Sequence, residues 1–120
     1  MIKENLKTVD KVWGEELWLV NRPEYCGKLL ILDKDARSSY HCHKKKQETF
    51  FCIEGYAVLI IEDKEYILAP FTRPKTIFPN EYHMFRGITE TIILEISTTH
   101  DENDVYRLSE SVGAPDVKPE

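Results

Sequence analysis

The sequence predicts an all-β protein of one domain, built as a jelly roll or barrel. From about Lys28 onward, runs rich in β-branched and aromatic residues alternate with turn residues. Strand-length runs at intervals of roughly ten residues are typical of all-β sandwiches and barrels. Helical periodicity is weak throughout. At 120 residues and 42% apolar content, the chain is long enough for one hydrophobic core.

Eight strand candidates follow from these runs, and eight strands suit a jelly roll. They cover residues 28–32, 39–43, 49–53, 57–61, 65–68, 75–78, 82–85 and 91–97. The short polar break at 62–65 predicts a tight hairpin, so the strands on either side should pair antiparallel. Pro70, Pro74 and Pro79 fall between candidates, where the missing backbone donor costs least.

The two ends of the chain differ from this pattern. Near the start, Trp13 and residues 17–20 are too apolar to remain in water, so they should form an edge strand, cover the barrel or pack against a second subunit. From His100 onward the chain is polar, with few large apolar residues. We therefore expect a barrel with an N-terminal edge segment over 1–100 and a partly disordered tail over 101–120, in a homodimer.

The charge and hydropathy patterns exclude several classes of partner. A formal charge of -5 and the absence of a large basic block argue against nucleic acid. No apolar run approaches the ~18 residues that cross a bilayer, and the first residues do not resemble a secretory signal. The three cysteines are irregularly spaced, unlike a disulfide framework or paired metal knuckles. We expect a cytoplasmic protein with free thiols and no membrane partner.

The most informative stretch runs from His41 to Glu48. Residues two apart on a strand share a face, so His41 and His43 can converge on one point while Cys42 points away. A loop through the lysines would return Glu48 beside them, and a turn at Pro79 leads into a strand with His83. Imidazole nitrogens with a carboxylate oxygen suit divalent metals. We expect one ion, Zn, Mn, Fe or Ni, held by His41, His43, Glu48 and His83.

These residues resemble the first motif of the cupins. His41-x-His43, four residues, Glu48, six residues and Gly55 match each defining position of that motif, and His83 resembles the histidine of the second motif. The resemblance covers roughly residues 28–97. It implies a double-stranded β-helix, the jelly-roll barrel of that superfamily, with a metal at the four matched positions.

Four positions depart from the two motifs. Asp35 and Thr72 stand where each motif often begins with Gly, Asn80 replaces a turn Gly, and Gly87 replaces a terminal Asn. All four lie outside the metal positions, so the departures concern turns.

Two further resemblances point to sugars. Trp13-Gly14, Glu95-Ile96-Ser97 and the segment 104–107 resemble the ends of sugar-phosphate isomerase cupins, including type II mannose-6-phosphate isomerases. The spacing His41-x-His43-x-x-Lys46-x-Glu48 resembles the metal motif of D-lyxose isomerases. The loop between His43 and Glu48 is longer here than in the first family, and its Tyr-Gly-Arg ending is absent. Small cupin modules of nonulosonic-acid and surface-polysaccharide synthesis are also similar.

These resemblances imply a sugar or sugar-phosphate ligand and a metal-dependent aldose–ketose isomerase. Such a reaction needs a metal to hold the substrate oxygens and a base within ~3 Å of the carbon acid. Glu48 is the first candidate base if one oxygen is free, Glu95 is the second, and Lys46 completes the catalytic set. Lys28 and Arg86 could orient the substrate. Two alternatives remain open, a non-catalytic sugar-binding or regulatory cupin and an Fe(II) cupin dioxygenase.

Several polar residues have simpler interpretations. His100 lies in a polar segment and is expected to be a packed or surface residue, and 44–46 is expected to be a solvated loop unless Lys46 reaches the site. Arg107 is expected to be a surface salt-bridge partner. Glu95, between Leu94 and Ile96, faces either water or the cavity. The tyrosines at 40, 56 and 82 are expected to border the core.

Overall fold

The structure is a computed structural model that describes residues 6–113, and every regular element in that range is a β-strand. Eleven strands occur in these residues: β1 (Lys7–Lys11), β2 (Gly14–Asn21), β3 (Cys26–Leu32), β4 (His41–Cys42), β5 (Glu48–Glu54), β6 (Ala57–Ile61), β7 (Lys64–Leu68), β8 (Lys75–Ile77), β9 (His83–Gly87), β10 (Thr91–Ser97) and β11 (Tyr106–Arg107). Each of the eight strand candidates overlaps one of them.

The strands form two antiparallel sheets. One has six strands in the order β1-β2-β3-β10-β5-β8, and the other has five in the order β11-β4-β9-β6-β7. Apart from β1-β2-β3 and β6-β7, neighbours in each sheet are not consecutive in the chain, so most connections cross between the two layers as in a jelly roll. The all-β single-domain prediction is confirmed for the residues that the structure describes.

The hydrophobic core lies between the two sheets. Leu30, Phe50 and Ile93 from the six-stranded sheet meet Leu59 and Phe85 from the other, and all five are at most 6% exposed. Buried and half-buried residues alternate along β10 and β3, as expected when successive side chains point to opposite faces. One face of each sheet therefore forms the wall of the barrel interior.

The N-terminal segment contributes two strands. β1 and β2 pair as a hairpin, β2 pairs with β3, and β1 forms the edge of the sheet. Trp13, between them, is 8% exposed and belongs to the core cluster. Residues 17–20, expected at an edge or as a cover, thus lie on β2, one strand in from the edge, and the indole closes one end of the core.

The turns use left-handed backbone where the sequence has small or polar residues. The two residues that join β6 to β7, Glu62 and Asp63, have φ of 47° and 67°, as a two-residue type I′ hairpin requires. Asp35 and Asn80 have φ of 64° and 72°. Gly55 has φ of 84°, and a Cβ there would lie 2.1 Å from the carbonyl oxygen of Glu90. Only glycine fits that position.

The segment after β10 returns to the barrel. β11 pairs with β4, the amide of Leu108 donates to the carbonyl of Tyr40 at 2.8 Å, and Arg37 and Val112 form a two-way bridge. The first part of the predicted tail therefore extends the five-stranded sheet. The disorder predicted for its last part falls on 114–120, outside the described residues, and the domain limit at residue 100 stays a prediction.

Two remaining expectations concern cysteines and membranes. Cys26, Cys42 and Cys52 are buried free thiols. Across residues 6–113 there is no helix with the length and apolar character needed to span a bilayer.

Candidate metal centre

Three histidines from two neighbouring strands meet inside the barrel. His41 on β4 lies directly opposite His83 on β9 in the ladder, and His43 follows β4 by one residue. The ring centroids are 4.5 Å apart for His41 and His83, 5.1 Å for His41 and His43, and 5.7 Å for His43 and His83. The three rings each offer one ligand nitrogen, and these nitrogens lie within 4.8 Å of one another.

Backbone carbonyls fix the orientation of all three rings. The Nδ1 atoms of His41, His43 and His83 lie 2.8, 2.7 and 3.0 Å from the carbonyl oxygens of Ser39, Asp104 and Glu81, respectively. A carbonyl oxygen only accepts, so each Nδ1 carries the proton and donates it. Each Nε2 is left as a lone pair facing the interior. Metal-binding histidines are commonly oriented in this way.

Glu48, at the start of β5, completes the cluster. Its Oε2 lies 2.9 Å from Nε2 of His83 and 3.6 Å from Nε2 of His43. The contact with His83 is short but misaligned, and Oε2 and that Nε2 are the two buried side-chain polar atoms without a hydrogen bond among residues 6–113. Donors bound to one ion at ~2.1 Å lie about 3 to 4.2 Å apart. The three histidines could therefore hold a metal ion, and Oε2 of Glu48 lies beside two of them.

Burial keeps two of the histidines, His41 and His43, neutral. It lowers the pKa of His41 to about 3, with the neighbouring His83 acting in the same direction. Burial also lowers the pKa of His43, although Glu48 opposes it. For Glu48, burial acts to raise the pKa, but His83 and Lys46 outweigh it and hold the pKa well below its usual value. His41 and His43 are thus neutral imidazoles and Glu48 is a carboxylate at pH 7, the protonation states that bind metals.

A buried lysine joins this cluster to a second carboxylate. Nζ of Lys46 lies 3.1 Å from Oε1 of Glu48 and 3.0 Å from Oε2 of Glu95, and all three residues are at most 5% exposed. Burial acts to lower the pKa of Lys46, but Glu95 and Glu48 together raise it above its usual value. The hydroxyl of Ser97 donates to the same oxygen of Glu95 at 2.9 Å.

Asp104 supports the site from the segment after β10. Its carboxylate accepts hydrogen bonds from the amides of Lys44, Lys45 and Lys46 at 2.9, 3.1 and 3.1 Å. Its carbonyl is the acceptor for Nδ1 of His43 at 2.7 Å. One buried residue therefore fixes both the loop that carries Lys46 and one histidine of the cluster.

Solved structures share this architecture. CapF from Staphylococcus aureus, a capsular polysaccharide assembling protein, aligns over 87% of this chain at 19% identity with a TM-score of 0.77. The match spans 34% of CapF, so this chain corresponds to about a third of that protein. KdgF from Halomonas sp. aligns over 85% of this chain and 94% of its own at 12% identity, with a TM-score of 0.75. No family model and no curated protein sequence matches the chain.

A third structure similar to this chain is Pac13 from Streptomyces, solved with uridine. It aligns over 91% of this chain and 88% of its own at 14% identity with a TM-score of 0.77, and it is described as a nucleoside dehydratase. CapF, KdgF and Pac13 are cupin-fold proteins. This chain has the cupin fold.

The cupin barrel opens into a cavity of about 360 Å³ beside the histidines. All of the predicted site residues, His41, His43, Lys46, Glu48, His83 and Glu95, line it. Glu95, whose facing the sequence left open, points inward. Lys46 is 5% exposed, whereas Lys44 and Lys45 are exposed as a solvated loop should be.

Other candidates divide between the cavity and the surface of the barrel. Lys28 lines the cavity, with Nζ 3.5 Å from Oε1 of Glu16 and 4.2 Å above the Trp18 ring. Arg86 does not: it is exposed on β9 and absent from the cavity wall. Its predicted role in orienting a substrate is therefore wrong, since it alternates in facing with His83 and Phe85, which both point inward.

His100 behaves as its simpler interpretation predicted, whereas Tyr56, expected to border the core, is 51% exposed. None of the three tyrosines at 40, 56 and 82 lines the cavity. His100 is a packed residue: its Nε2 lies 2.7 Å from Glu102, and its ring meets the Trp18 ring edge-on at 5.4 Å.

Sequence reasoning missed two residues of this site. Arg107, expected at the surface as an ion-pair partner, lines the cavity. Asp104 carried no local signal, because its partners lie about 60 residues earlier in the chain and depend on the path of β11. Both residues lie in the segment that resembles the end of sugar-phosphate isomerase cupins, but that resemblance gave neither of them a role.

Proposed function

We propose that this chain is a metal-dependent enzyme that interconverts the aldose and ketose forms of a sugar or sugar phosphate. The observation that carries the proposal is the convergence of three carbonyl-oriented histidines and Glu48 next to a second buried carboxylate, Glu95. His41, His43, His83 and Glu48 would hold one divalent ion, Zn, Mn, Fe or Ni. When bound, it would supply a Lewis acid that polarises the sugar carbonyl.

Glu95 is the better-placed general base. The two oxygens of Glu48 are both engaged, Oε1 with Lys46 and Oε2 with the histidines. In Glu95, both Lys46 and Ser97 contact Oε2, which leaves Oε1 for a proton. Glu95 would remove the proton from the carbon beside the carbonyl and return it to the adjacent carbon. Oε2 of Glu48 makes no hydrogen bond, but the bound ion would take it, so Glu48 is the second candidate for the base.

Lys46 would keep its own proton throughout this transfer. Its ammonium lies between Glu48 and Glu95 at 3.1 and 3.0 Å, and its raised pKa keeps the proton on the amine. A cation at that position also compensates the negative charge that develops on the sugar oxygens. Lys46 thus stabilises charge and does not exchange its proton.

Three further observations support a sugar substrate. The cavity of about 360 Å³ is within the range of small-molecule sites. Trp13 contributes an aromatic wall, and Ser38, Ser39 and Ser111 add hydroxyls. Pac13, which shares the fold, was solved with uridine, a nucleoside that contains ribose.

The test follows hydrogen exchange at the sugar carbons. Metal-loaded protein is incubated in D₂O with a panel of aldoses, ketoses and their phosphates, and conversion and deuterium incorporation are followed by NMR. We expect the wild type to convert at least one pair, and Glu95→Gln to lower kcat by about 10²- to 10⁴-fold while keeping its metal. Glu102→Gln, a second carboxylate of the cavity wall, is the matched control and should retain activity.

Other outcomes would replace the proposal. Saturable sugar binding without conversion or exchange would indicate a binding or regulatory module. Oxygen consumption by the Fe(II)-loaded protein would indicate a dioxygenase. Full activity in Glu95→Gln would remove Glu95 as the base.

We also propose a homodimer that forms through the outer face of the six-stranded sheet. Phe51, Leu94 and Leu29 pair side by side across this face and are half-buried, and Ile96 is 58% exposed. Contiguous apolar surface of this kind marks an interface. Light scattering should give twice the 14.1 kDa chain mass for the wild type and a monomer for Leu94→Glu. Ile67→Glu, on the other sheet, should remain dimeric. A monomeric wild type would contradict the proposed homodimer.

A further inference from the structure

Strand pairing places Arg107 beside the histidine cluster. In the ladder between β11 and β4, Arg107 lies directly opposite His41. Directly opposed residues of antiparallel strands project their side chains from the same face, with Cβ atoms about 4.5 to 5.5 Å apart. Both side chains accordingly line the same cavity. The guanidinium is therefore carried on the cavity face beside the candidate metal centre.

The backbone around Arg107 is held on both sides. Tyr106 pairs with Cys42, and the amide of Leu108 donates to the carbonyl of Tyr40 at 2.8 Å. The hydroxyl of Ser109 accepts from the amide of Tyr40 at 3.0 Å. Because β11 is anchored in this way, the arginine is presented from a fixed strand, which lowers the entropic cost of using it in binding.

Arg107 differs from the buried cations of the cavity in its partners. Lys46 lies within 3.1 Å of two carboxylates, and Lys28 lies 3.5 Å from Glu16. Within the described residues, the Arg107 guanidinium has no carboxylate oxygen within 4.0 Å, and its side chain is exposed at the cavity mouth. Its planar fork of donors remains open to an oxyanion.

The acidic groups of the same mouth restrict where an anion can bind. Asp10 and Glu110 line the cavity and are exposed, and Glu102 is engaged by His100 at 2.7 Å. An anionic group placed away from the guanidinium would meet these carboxylates and be repelled. Lys11 also lines the cavity, so what favours the position beside His41 is the guanidinium itself, which has no carboxylate oxygen within 4.0 Å among the described residues.

We propose that Arg107 binds an anionic group of the substrate and so selects an acidic sugar, one that carries a phosphate or a carboxylate. This inference rests on the proposed function, because it assumes that the sugar oxygens face the histidine cluster. Arg107 acts as a specificity-determining residue: it holds the end of the sugar that does not react. A charge-assisted pair of this kind contributes about a ten- to hundredfold preference in affinity.

The experiment measures binding with three probes and the metal-loaded full chain. Fructose 6-phosphate presents a phosphate, glucuronate presents a carboxylate, and fructose is neutral. Isothermal titration should show at least one acidic probe binding about ten- to hundredfold more tightly than fructose, and which one does so separates phosphate from carboxylate. Arg107→Ala should remove the preference and leave fructose affinity unchanged, while Arg107→Lys should keep part of it.

Arg86→Ala is the matched control, since Arg86 is an exposed arginine on the other neighbour of β4 and lies outside the cavity. It should bind all three probes as the wild type does. A wild type without preference for either acidic probe, or a preference that survives in Arg107→Ala, overturns the inference. Turnover is measured separately. A preference that depends on Arg107 without any sugar conversion contradicts the isomerase and not the anion site. Sugar conversion with a preference that is unchanged in Arg107→Ala contradicts the anion site and not the isomerase.

Discussion

The backbone carbonyl of Asp104 lies 2.7 Å from Nδ1 of His43, and the side chain of the same aspartate accepts three amides of the loop 44–46. The segment after β10 therefore fixes a histidine of the candidate metal centre and the lysine that neighbours it. Removing the carboxylate should loosen both.

We expect Asp104→Ala to weaken metal binding by about 10- to 100-fold, because the loss of outer-shell partners usually has that effect. It should also lower the free energy of unfolding by about 1–3 kcal/mol, since three amides lose their acceptor. Chelator competition and urea unfolding measure the two effects. Asp101→Ala, an exposed carboxylate three residues earlier, is the control, and equal metal affinity in both variants would show that Asp104 has no such role.

Lys46 is the cation that lies between two buried carboxylates, Glu48 and Glu95. We expect Lys46→Met to destabilise the protein by about 3–5 kcal/mol, because Glu48 and Glu95 would be left buried without their cation. Adding Glu95→Gln should restore part of this loss, since one of the uncompensated charges disappears. Thermal unfolding of both single variants and the double variant measures the coupling. Additive losses would mean that Lys46 and Glu95 do not interact.

Stability should depend on pH through the histidines. In the folded protein the pKa of His41 is lowered to about 3 from 6.5, so between these values the unfolded chain binds a proton that the folded chain does not. The contribution is fully present above pH 6.5 and is lost as pH falls toward 3. For metal-free protein the slope should be up to about 1.4 kcal/mol per pH unit for this proton. Urea unfolding from pH 7 to 4 should give a shallower slope for His41→Gln; an identical slope would contradict this.

The sequence could predict which site residues lie together when they are close in the chain, and could not when they are distant. The period of two along a strand correctly placed His41 and His43 together, because that rule is local. The register that sets His41 opposite His83 depends on how the barrel closes, and the sequence contains no local signal for it. Asp104 was missed for the same reason.

The facing of Glu95 could not be predicted because β10 is apolar on both sides. Ile93 points into the core, while Ile92 and Ile96 point outward and are partly exposed. With apolar residues on both faces, alternation does not identify the inner one. The apolar outer face, which we propose as a dimer interface, is the physical cause of that ambiguity.

The departures from the two motifs, by contrast, have a simple explanation in the backbone. Asp35 and Asn80 stand where the motifs often have glycine, and both adopt positive φ. Aspartate and asparagine tolerate that region better than other residues. The turns are thus preserved without glycine.

Substitutions at these turns should separate tolerated positions from strict ones. Asn80→Gly should keep or slightly raise stability, because glycine adopts φ of 72° without strain. Gly55→Ala should cost more than about 1 kcal/mol, since its φ is positive and a Cβ would collide with the carbonyl of Glu90. Thermal unfolding compares the two, and a Gly55→Ala variant as stable as the wild type would mean that the turn can rearrange.

The most direct test of the account is the metal content of the purified, metal-loaded protein, measured by elemental mass spectrometry beside His83→Gln and His100→Gln. His83 belongs to the cluster, whereas His100 lines the same cavity outside it, so the pair separates ligand loss from general loss of a histidine. We predict about one ion per chain in the wild type and in His100→Gln, and near-complete loss in His83→Gln. A folded wild type that takes up no metal, or a His83→Gln variant that retains it, would contradict the metal centre.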